Sequence, residues 1–534
     1  MDRLKRVIPY WPYGLLSLVA LGPLLLPGYV LTMDMVFTPD LRMPSHVDNT
    51  WLLYASLHVL DILLPADVVQ KLLLLCILLL SSIGAHRLLM LVRPQQEGWR
   101  TAVYVGAIFY VVNPFVYDRL MAGQWGVLLG YSLLPWFTAS LVRLGRDPTW
   151  RRLCWLVGWT TLLGIVSIHS LGAVAVLVAV AFALQAADKS KRARLLRFAG
   201  VGIACFILLN SYWLLPAVMG QGRIAQSLQT FSNTGSTAFG TVDAVGTGTL
   251  GSILGLLGFW QEKRGLYVQP IEAYALWGLV YLVIIVLMIW GAWLAWKHQR
   301  MVAVGALCVS VISVLLALGI GHAWLVSHVP FFAGFREPQK FVALLALAYC
   351  YFMTWAAAWF MTRWKGWRRA VIVAVLFMLP FLYAPSFIWG AAGQLHATDY
   401  PKDWFAVNDR LNAQSPDGKA LVLPWHLYMS YSFTNGRIIA SPTPAFFDRE
   451  VITSDDPELP GVKPQTRNTI RETVQHDILP ALKSGQSVAD VLSRLGIRYI
   501  IVSKDLDWRE YSLKPDEVTR LYDGEVLSLY RLAK

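Results

Sequence analysis

The feature that most limits what this chain can fold into is a succession of long apolar runs. About 20 mostly apolar residues cross a bilayer as a helix. Eleven segments fit, near 13–33, 67–92, 101–118, 125–142, 153–168, 169–186, 197–217, 271–296, 301–319, 341–362 and 370–390. The fifth and sixth are nearly continuous, broken only around His169-Ser170. Of the 534 residues, 56% are hydrophobic and 15% charged, and the mean hydropathy is +0.50. A single soluble globular protein and a disordered chain are both excluded by these values. The expected fold class is a polytopic α-helical membrane module of about eleven spans over 1–390, followed by a small α/β domain over 391–534.

The net charge is +13, and its location matters more than its size. Residues 1–390 carry 29 Lys and Arg against 14 Asp and Glu, whereas residues 391–534 carry 17 against 19. A basic excess confined to the apolar part is a topology signal and not a nucleic-acid footprint. The connecting segments alternate. One set holds 21 cations, among them Arg143, Arg146, Arg151, Arg152 and Arg363, Lys365, Arg368, Arg369. The opposite set holds eight: Arg42, Lys71, Arg119, Arg223, Lys263, Arg264, Arg336 and Lys340. By the positive-inside rule the first set is cytoplasmic. The expected location is the plasma membrane, with the N-terminus cytoplasmic and the C-terminal domain extracytoplasmic. No A-x-A-like cleavage site follows the first apolar run, so it reads as a span and not as a signal peptide.

All five cysteines lie in or beside apolar helices and no C-x-x-C pair occurs, so disulfides in the outer domain and a Cys-based zinc site are not expected. No internal repeat is visible. The G-x-G-x-x-G pattern at 246–251 lacks the preceding strand that a dinucleotide site requires.

Chemistry is expected on the outer side, where ten of the fourteen membrane-part acids fall. Asp34, Asp40 and Asp48, with His46 between the last two, crowd into the first outer loop. Asp34 is placed directly at the end of the first span, where a carboxylate is costly and a functional candidate by default. A general base is one role for it, and a solvated helix-ending acid is the plain alternative. A short amphipathic stretch, Trp51 to Leu64, is expected to lie along the membrane surface. Pro114 ends or kinks the third span and puts Asp118 and Arg119 at the interface. The loop Phe335-Arg336-Glu337-Pro338-Gln339-Lys340-Phe341 puts two cations and an acid where the charge rule expects few cations. Arg offers a fork for phosphate and Lys a point charge, so Arg336 and Lys340 are candidates for a lipid phosphate. Snorkelling cations with an Arg–Glu pair are the competing explanation. Glu337 and Arg119 join the candidates. His322 and His328 are a weak metal pair.

In the outer domain, a helix is expected from Tyr400 to about 412, strands at Lys419 to Pro424 and Arg437 to Ala440, and helices over 466–483 and from Ser487 to Leu495, with Gly496 as C-cap. Ile497 to Ser503 reads as a buried strand with Val526 to Leu532 beside it. Trp425, His426 and Tyr428 begin a polar-aromatic run suited either to sugar stacking or to a packed edge. No hydrolase, zinc-protease or Walker motif occurs.

Several stretches together resemble the GT-C superfamily of integral-membrane glycosyltransferases, and within it a bacterial branch akin to arabinofuranosyltransferases and YfhO-like membrane proteins. They are Gly28-Tyr29-Val30-Leu31 through Asp34-Met35-Val36-Phe37, Asn113-Pro114-Phe115 with Gly123-Gln124, Asn210-Ser211-Tyr212-Trp213, Arg336-Glu337-Pro338-Gln339-Lys340, and Leu495-Gly496-Ile497-Arg498-Tyr499-Ile500-Ile501. The resemblance implies a polyprenyl-phosphate sugar donor, a glycan, glycolipid or protein acceptor outside the cytoplasm, and an inverting displacement. By motif position it makes Asp34 the base. Met35 and Val36 follow where a second acid is usual, which leaves a divalent metal cofactor open and keeps Asp40 and Asp48 as substitutes. On this reading Arg336, Lys340 and Arg119 bind the donor phosphate, and Glu337, Asp118 and His46 are further site candidates. A glycolipid flippase or a non-catalytic cell-envelope assembly partner are the alternatives. A flippase calls for polar residues deep in several spans, and the mid-span segments here are nearly free of charge.

Overall fold

The computed structural model describes residues 8–186, 188–221, 238–329, 331–459 and 469–533. Arg3, Lys5, Arg6 and Arg223, and the start of the helix expected at 466–483, lie outside the described residues. The chain divides into two compact units. The membrane unit comprises Met1–Leu24, Pro44–Ser56 and Lys71–Gln394; the second, called the outer-domain unit after the side expected for it, comprises Leu25–Met43, Leu57–Gln70 and Leu395–Lys534.

The membrane unit is helical: α1 (Trp11–Leu21), α2 (Trp51–Asp61), α3 (Ala66–Leu91), α4 (Trp99–Val111), α5 (Pro114–Met121), α6 (Trp125–Arg146), α7 (Trp150–Val166), α8 (Ile168–Ala186), α9 (Lys189–Leu209), α10 (Ser211–Val218), α11 (Thr249–Leu254), α12 (Trp277–His298), α13 (Arg300–Ala317), α14 (His322–His328), α15 (Val342–Arg363) and α16 (Gly366–Tyr383). The second halves of α2 and the first turn of α3 pass into the other unit. Among the described residues, eight helical segments are long and apolar enough to cross a membrane, or nine if the pair 192–209 and 211–218, bent by 88°, counts as one span. Eleven were expected. The three that fall short are helical too. The stretch 101–118 is split at Asn113, whose side chain caps α5 by accepting from Val116 N at 3.2 Å with Pro114 at the first helical position. α7 has 17 residues, and α9 bends into α10 at Asn210.

α15 is the centre of the bundle, buried on every side, so its sequence is apolar all round with no single stripe. Small residues let its neighbours approach. A Cβ at Gly106 of α4 would collide with Thr354 Oγ1 and the Cys350 carbonyl, and one at Gly291 of α12 with the Phe352 carbonyl. Close packing at small residues is how membrane helices associate when lipid supplies no hydrophobic drive.

The first span ends earlier than its hydrophobicity suggested. α1 runs into a 3-10 turn, Gly22–Leu25, where Pro23, Pro27 and a left-handed Gly22 (φ +42°) stop the helix. Tyr29 to Met33 continue the apolar run, but as backbone of the outer-domain unit. There β1 (Tyr29–Val30) pairs antiparallel with β2 (Ala397–Thr398). Asp34 is therefore not at the end of a span.

The outer-domain unit is a three-layer α/β structure. Its five-stranded sheet has the order β6 (Val451–Ile452), β3 (Lys419–Leu423), β7 (Ile497–Ser503), β9 (Leu527–Leu532), β8 (Val518–Asp523). The first three strands are parallel, and β9 runs antiparallel to β7 and to β8. Period-2 alternation divides the sheet's two faces. Tyr499, Ile501, Ala420 and Val422 pack with Trp404, Val407 and Leu411 of α17 (Lys402–Asn412). Ile497, Ile500, Val502, Leu421 and Leu423 pack with Val474, Ile478, Leu482 and Leu492 from the helical stretch 469–483 and α18 (Ala489–Arg494). Gly496, at φ +73°, turns the chain from α18 into β7.

Candidate active site

Within the membrane unit, α5 puts two charged side chains where sequence placed an interface, and both are fully buried. Arg119 donates from Nη1 to Glu337 Oε2 at 2.7 Å and to Gln124 Oε1, and from Nη2 to Gln339 Oε1. Its guanidinium lies over the Phe259 ring, 4.2 Å from the centroid. The other oxygen of Glu337 meets Lys340 Nζ at 3.3 Å, and Lys340 Nζ lies 3.2 Å from His169 Nε2. That nitrogen is also 2.9 Å from the Gly334 carbonyl. The two contacts are alternatives: Nε2 either donates to Gly334 or accepts from Lys340. Arg336 is half-buried with its guanidinium over Phe239 at 4.5 Å, and its charge reaches Glu337. Burial pushes the Glu337 carboxyl up, but Lys340 and Arg119 outweigh that and hold it below the usual carboxylate range. Three cations thus gather round one carboxylate at the N-terminal end of α15, in surroundings of Phe335, Phe341 and Phe332 rings.

Asp118, next to Arg119, accepts from Tyr267 Oη at 3.3 Å and neighbours the carboxyl of Glu262. Glu262 takes Gly258 N–H on both oxygens at 3.0 Å, and burial raises its pKa. A hydrogen bond between two carboxyls needs a proton on one of them, so this pair holds charge down behind the cation cluster.

Within the outer-domain unit, Asp34 sits on a tight turn. Thr32 and Met35 exchange both backbone hydrogen bonds, at 3.2 and 2.7 Å, and Met33 takes a left-handed conformation (φ +41°) that a non-glycine residue rarely adopts. The turn is held by β5 (Ile438–Ala440): Met33 N donates to Ile438 O at 3.0 Å and Ala440 N to Met33 O at 2.9 Å. β5 in turn pairs with β4 (Tyr428–Ser430), and Tyr428 Oη donates to Asp34 Oδ1 at 2.7 Å. Asp34 is exposed at the tip. Gln70 fixes the preceding strand, its amide taking Val30 N and giving to Val30 O at 2.9 and 2.7 Å.

The remaining sequence candidates have local tasks. Asp40 is exposed and lies 3.5 Å from Arg42. Asp48 accepts from Thr50 N and Oγ1 at 2.9 and 2.8 Å, just ahead of α2. His46 is exposed. His322 reaches the Phe335 carbonyl and His328 that of Trp324. Among the described residues no group of three or more His, Cys, Asp or Glu side chains is arranged to hold a metal ion. The described residues do not fit a resident metal. Sequence reasoning missed His169, taken only as a break between spans, along with Gln124, Gln339, Glu262 and Tyr428 as partners. Both glutamines stood in the quoted motifs, which was the available signal. Tyr428 meets Asp34 across 394 positions, beyond any spacing rule.

A set of membrane-length helices accompanied by a small C-terminal α/β domain defines the fold class of this chain. Residues 52–526 match the family model described as alpha-(1→3)-arabinofuranosyltransferase, N-terminal GT-C domain, and the chain belongs to that family. Among solved structures it is similar to the arabinofuranosyltransferase AftD from Mycobacteria, at 17% identity and a TM-score of 0.63, over 100% of this chain and 40% of that one. An arginine-to-serine mutant of the same enzyme gives 16% identity, a TM-score of 0.65, and coverage of 99% and 42%. The chain spans about two fifths of the length of that enzyme. No curated protein sequence matches.

Proposed function

We propose that this chain is a membrane glycosyltransferase domain that moves a sugar, in keeping with its family an arabinofuranosyl group, from a polyprenyl-phosphate donor to a glycan or glycolipid acceptor outside the cytoplasm. The observation that carries the reading is the cation cluster of the membrane unit. Arg119 and Lys340 share the single carboxylate of Glu337, and Arg336 stands beside it. A lipid phosphate is the further anion proposed for this cluster. Arg336 and Lys340 contact it, while Arg119 and Glu337 position them. Asp34 is the base. The acceptor hydroxyl oxygen bonds to the anomeric carbon, its proton passes to Asp34, and the bond to the donor phosphate breaks with its electrons going to the phosphate oxygen. That leaving group departs already stabilised by the cations, so no strong general acid is needed. Tyr428, donating to Asp34, is a positioning residue that favours the ionised form of the carboxylate. The positive-inside rule puts the N-terminus in the cytoplasm and this chemistry outside.

The test is transfer by the purified full chain in liposomes with polyprenyl-phosphate sugars. Asp34→Asn is expected to lower kcat by at least 100-fold, and Lys340→Met to raise KM for the donor. Tyr428→Phe is expected to shift the acid limb of the rate profile to higher pH. Near-normal turnover of Asp34→Asn removes Asp34 as base. A dead Asp34→Asn beside a Tyr428→Phe with an unmoved profile removes only the role of Tyr428.

A further inference from the structure

One cavity of the membrane unit lies away from the cation cluster, and nothing described so far uses it. It has a volume of about 320 Å³ and is walled by α3, α6, α8 and α13, with α15 as its floor. Along α6 it runs from Thr138 to Arg146, along α8 from Leu177 to Gln185, and along α13 from Met301 to Val309. Eight helical residues rise about 12 Å, so the groove is a slot the length of part of one alkyl chain. Its walls are aliphatic. Its one charged side chain, Arg146, and its one amide, Gln185, stand together at one end.

Direction is fixed by the helices themselves. Lys340 and His169 stand at the N-terminal ends of α15 and α8, whereas Arg146 and Gln185 stand at the C-terminal ends of α6 and α8. The groove therefore opens at the opposite end of the bundle from the proposed donor phosphate. That end is basic: Arg143, Arg146, Arg151, Arg152, Lys297 and Arg300 outnumber the acids Glu97, Asp147 and Asp188 there among the described residues. One acid, Asp147, is already paired with Arg152 at 2.9 Å. Arg146 is held at the mouth by donating to the Leu91 carbonyl, the last residue of α3, at 3.0 Å. Glycines let α6 and α13 take the side chains of α8 closely: a Cβ at Gly145 would meet Gln185 Nε2 at 2.7 Å, and one at Gly305 would meet Leu184 Cδ1 at 3.2 Å.

We infer that this groove is a binding site for an anionic phospholipid of the basic-side leaflet, with one acyl chain between α6, α8 and α13 and the headgroup phosphate at Arg146. An apolar slot whose mouth carries an anchored guanidinium, in a basic rim, matches a single chain joined to an anion. Basic pockets between membrane helices recognise lipid headgroups in this way. A donor's polyprenyl tail is the other apolar chain at hand. It would arrive from the Lys340 end and has no use for Arg146.

The experiment is native mass spectrometry of the delipidated full chain, titrated with dioleoyl phosphatidylglycerol or dioleoyl phosphatidylcholine. Wild type is expected to retain phosphatidylglycerol about fivefold better, the worth of one arginine at a headgroup. Arg146→Gln is expected to bring the two lipids level, and Ala306→Trp, which fills the slot, to lose both. Val142→Trp blocks the same slot from α6, should the first plug fail to fold. If neither plug folds, Arg146→Gln decides alone, since its side chain is exposed. Equal retention of both lipids by wild type overturns the inference, as does a folded plug variant that binds as wild type does. Displacement of bound phosphatidylglycerol by polyprenyl phosphate assigns the groove to the donor tail and overturns it too.

Discussion

Two ion pairs in this protein have the same length and opposite surroundings. Arg119 and Glu337 meet at 2.7 Å with side chains 0% and 4% exposed, and Lys419 and Glu450 meet at 2.7 Å with 32% and 62% exposed. Distance alone makes them equal, yet the solvent does not. Water already stabilises the ends of the second pair, so their union adds little. The first pair is buried away from solvent, so Arg119 depends on Glu337, Gln124 and Gln339, and Glu337 on Arg119 and Lys340. A buried pair is thus a poor source of net stability and a severe point of failure. Its retention fits a task such as holding Lys340 and Arg336 around an anion.

The largest expected effect follows directly. Glu337→Leu leaves Arg119 and Lys340 without their carboxylate, and is expected to cost about 3–5 kcal/mol, read as a lowered Tm in detergent. A loss near that of a surface pair would erase the contrast. Asp403 comes next. Its carboxylate accepts from Tyr522 Oη at 2.8 Å and from Val526 N at 2.7 Å, tying α17 to the turn before β9, and these bonds hold its pKa down against partial burial. Asp403→Asn is expected to cost about 1–2 kcal/mol after allowance for solvent. Because the folded pKa is depressed, that stability is present above the ordinary aspartate value and fades as pH falls through the folded one.

His426 tests the comparison through pH. Its ring lies between Glu458 Oε1 at 2.7 Å and Asp507 Oδ1 at 3.2 Å. Partial burial lowers its pKa, but the two carboxylates outweigh that and raise it. The stability it brings is complete below about pH 6.5, the unfolded value, and is lost as pH rises through the folded one. The gap in Tm between wild type and His426→Gln should therefore be present at pH 6 and closed at pH 9. A gap independent of pH would mean packing and not charge. The smallest effect is expected for Lys419→Met, about 0–1 kcal/mol, and its Tm should move least of all.

How much of this the sequence disclosed depended on the range of the interaction. Strand β7 was legible residue for residue because Ile497-Arg498-Tyr499-Ile500-Ile501-Val502-Ser503 is a short β-branched run stopped by Gly496 on one side. α17, β3 and β9 were placed within a residue or two for the same local reasons. The end of the first span was misplaced because Tyr29 to Met33 are as apolar as lipid-facing residues. Hydropathy does not distinguish burial in a bilayer from burial against Tyr400 and Ile439. The basic loop 335–341 was picked out by charges that stood on the unexpected side. Its burial was not, because Arg119 reaches Glu337 across 218 positions.

The turn that carries Asp34 has one consequence in time. Its backbone is set by Ile438 and Ala440, more than 400 residues later in the chain. At a ribosome speed of about 5–20 residues per second, Met33 waits roughly 20–80 s for its partner strand to be made. During synthesis the proposed base is thus present long before it is shaped, and a product interrupted before residue 438 carries the carboxylate without the geometry. Synthesis of β5 gives the loop of Asp34 its shape.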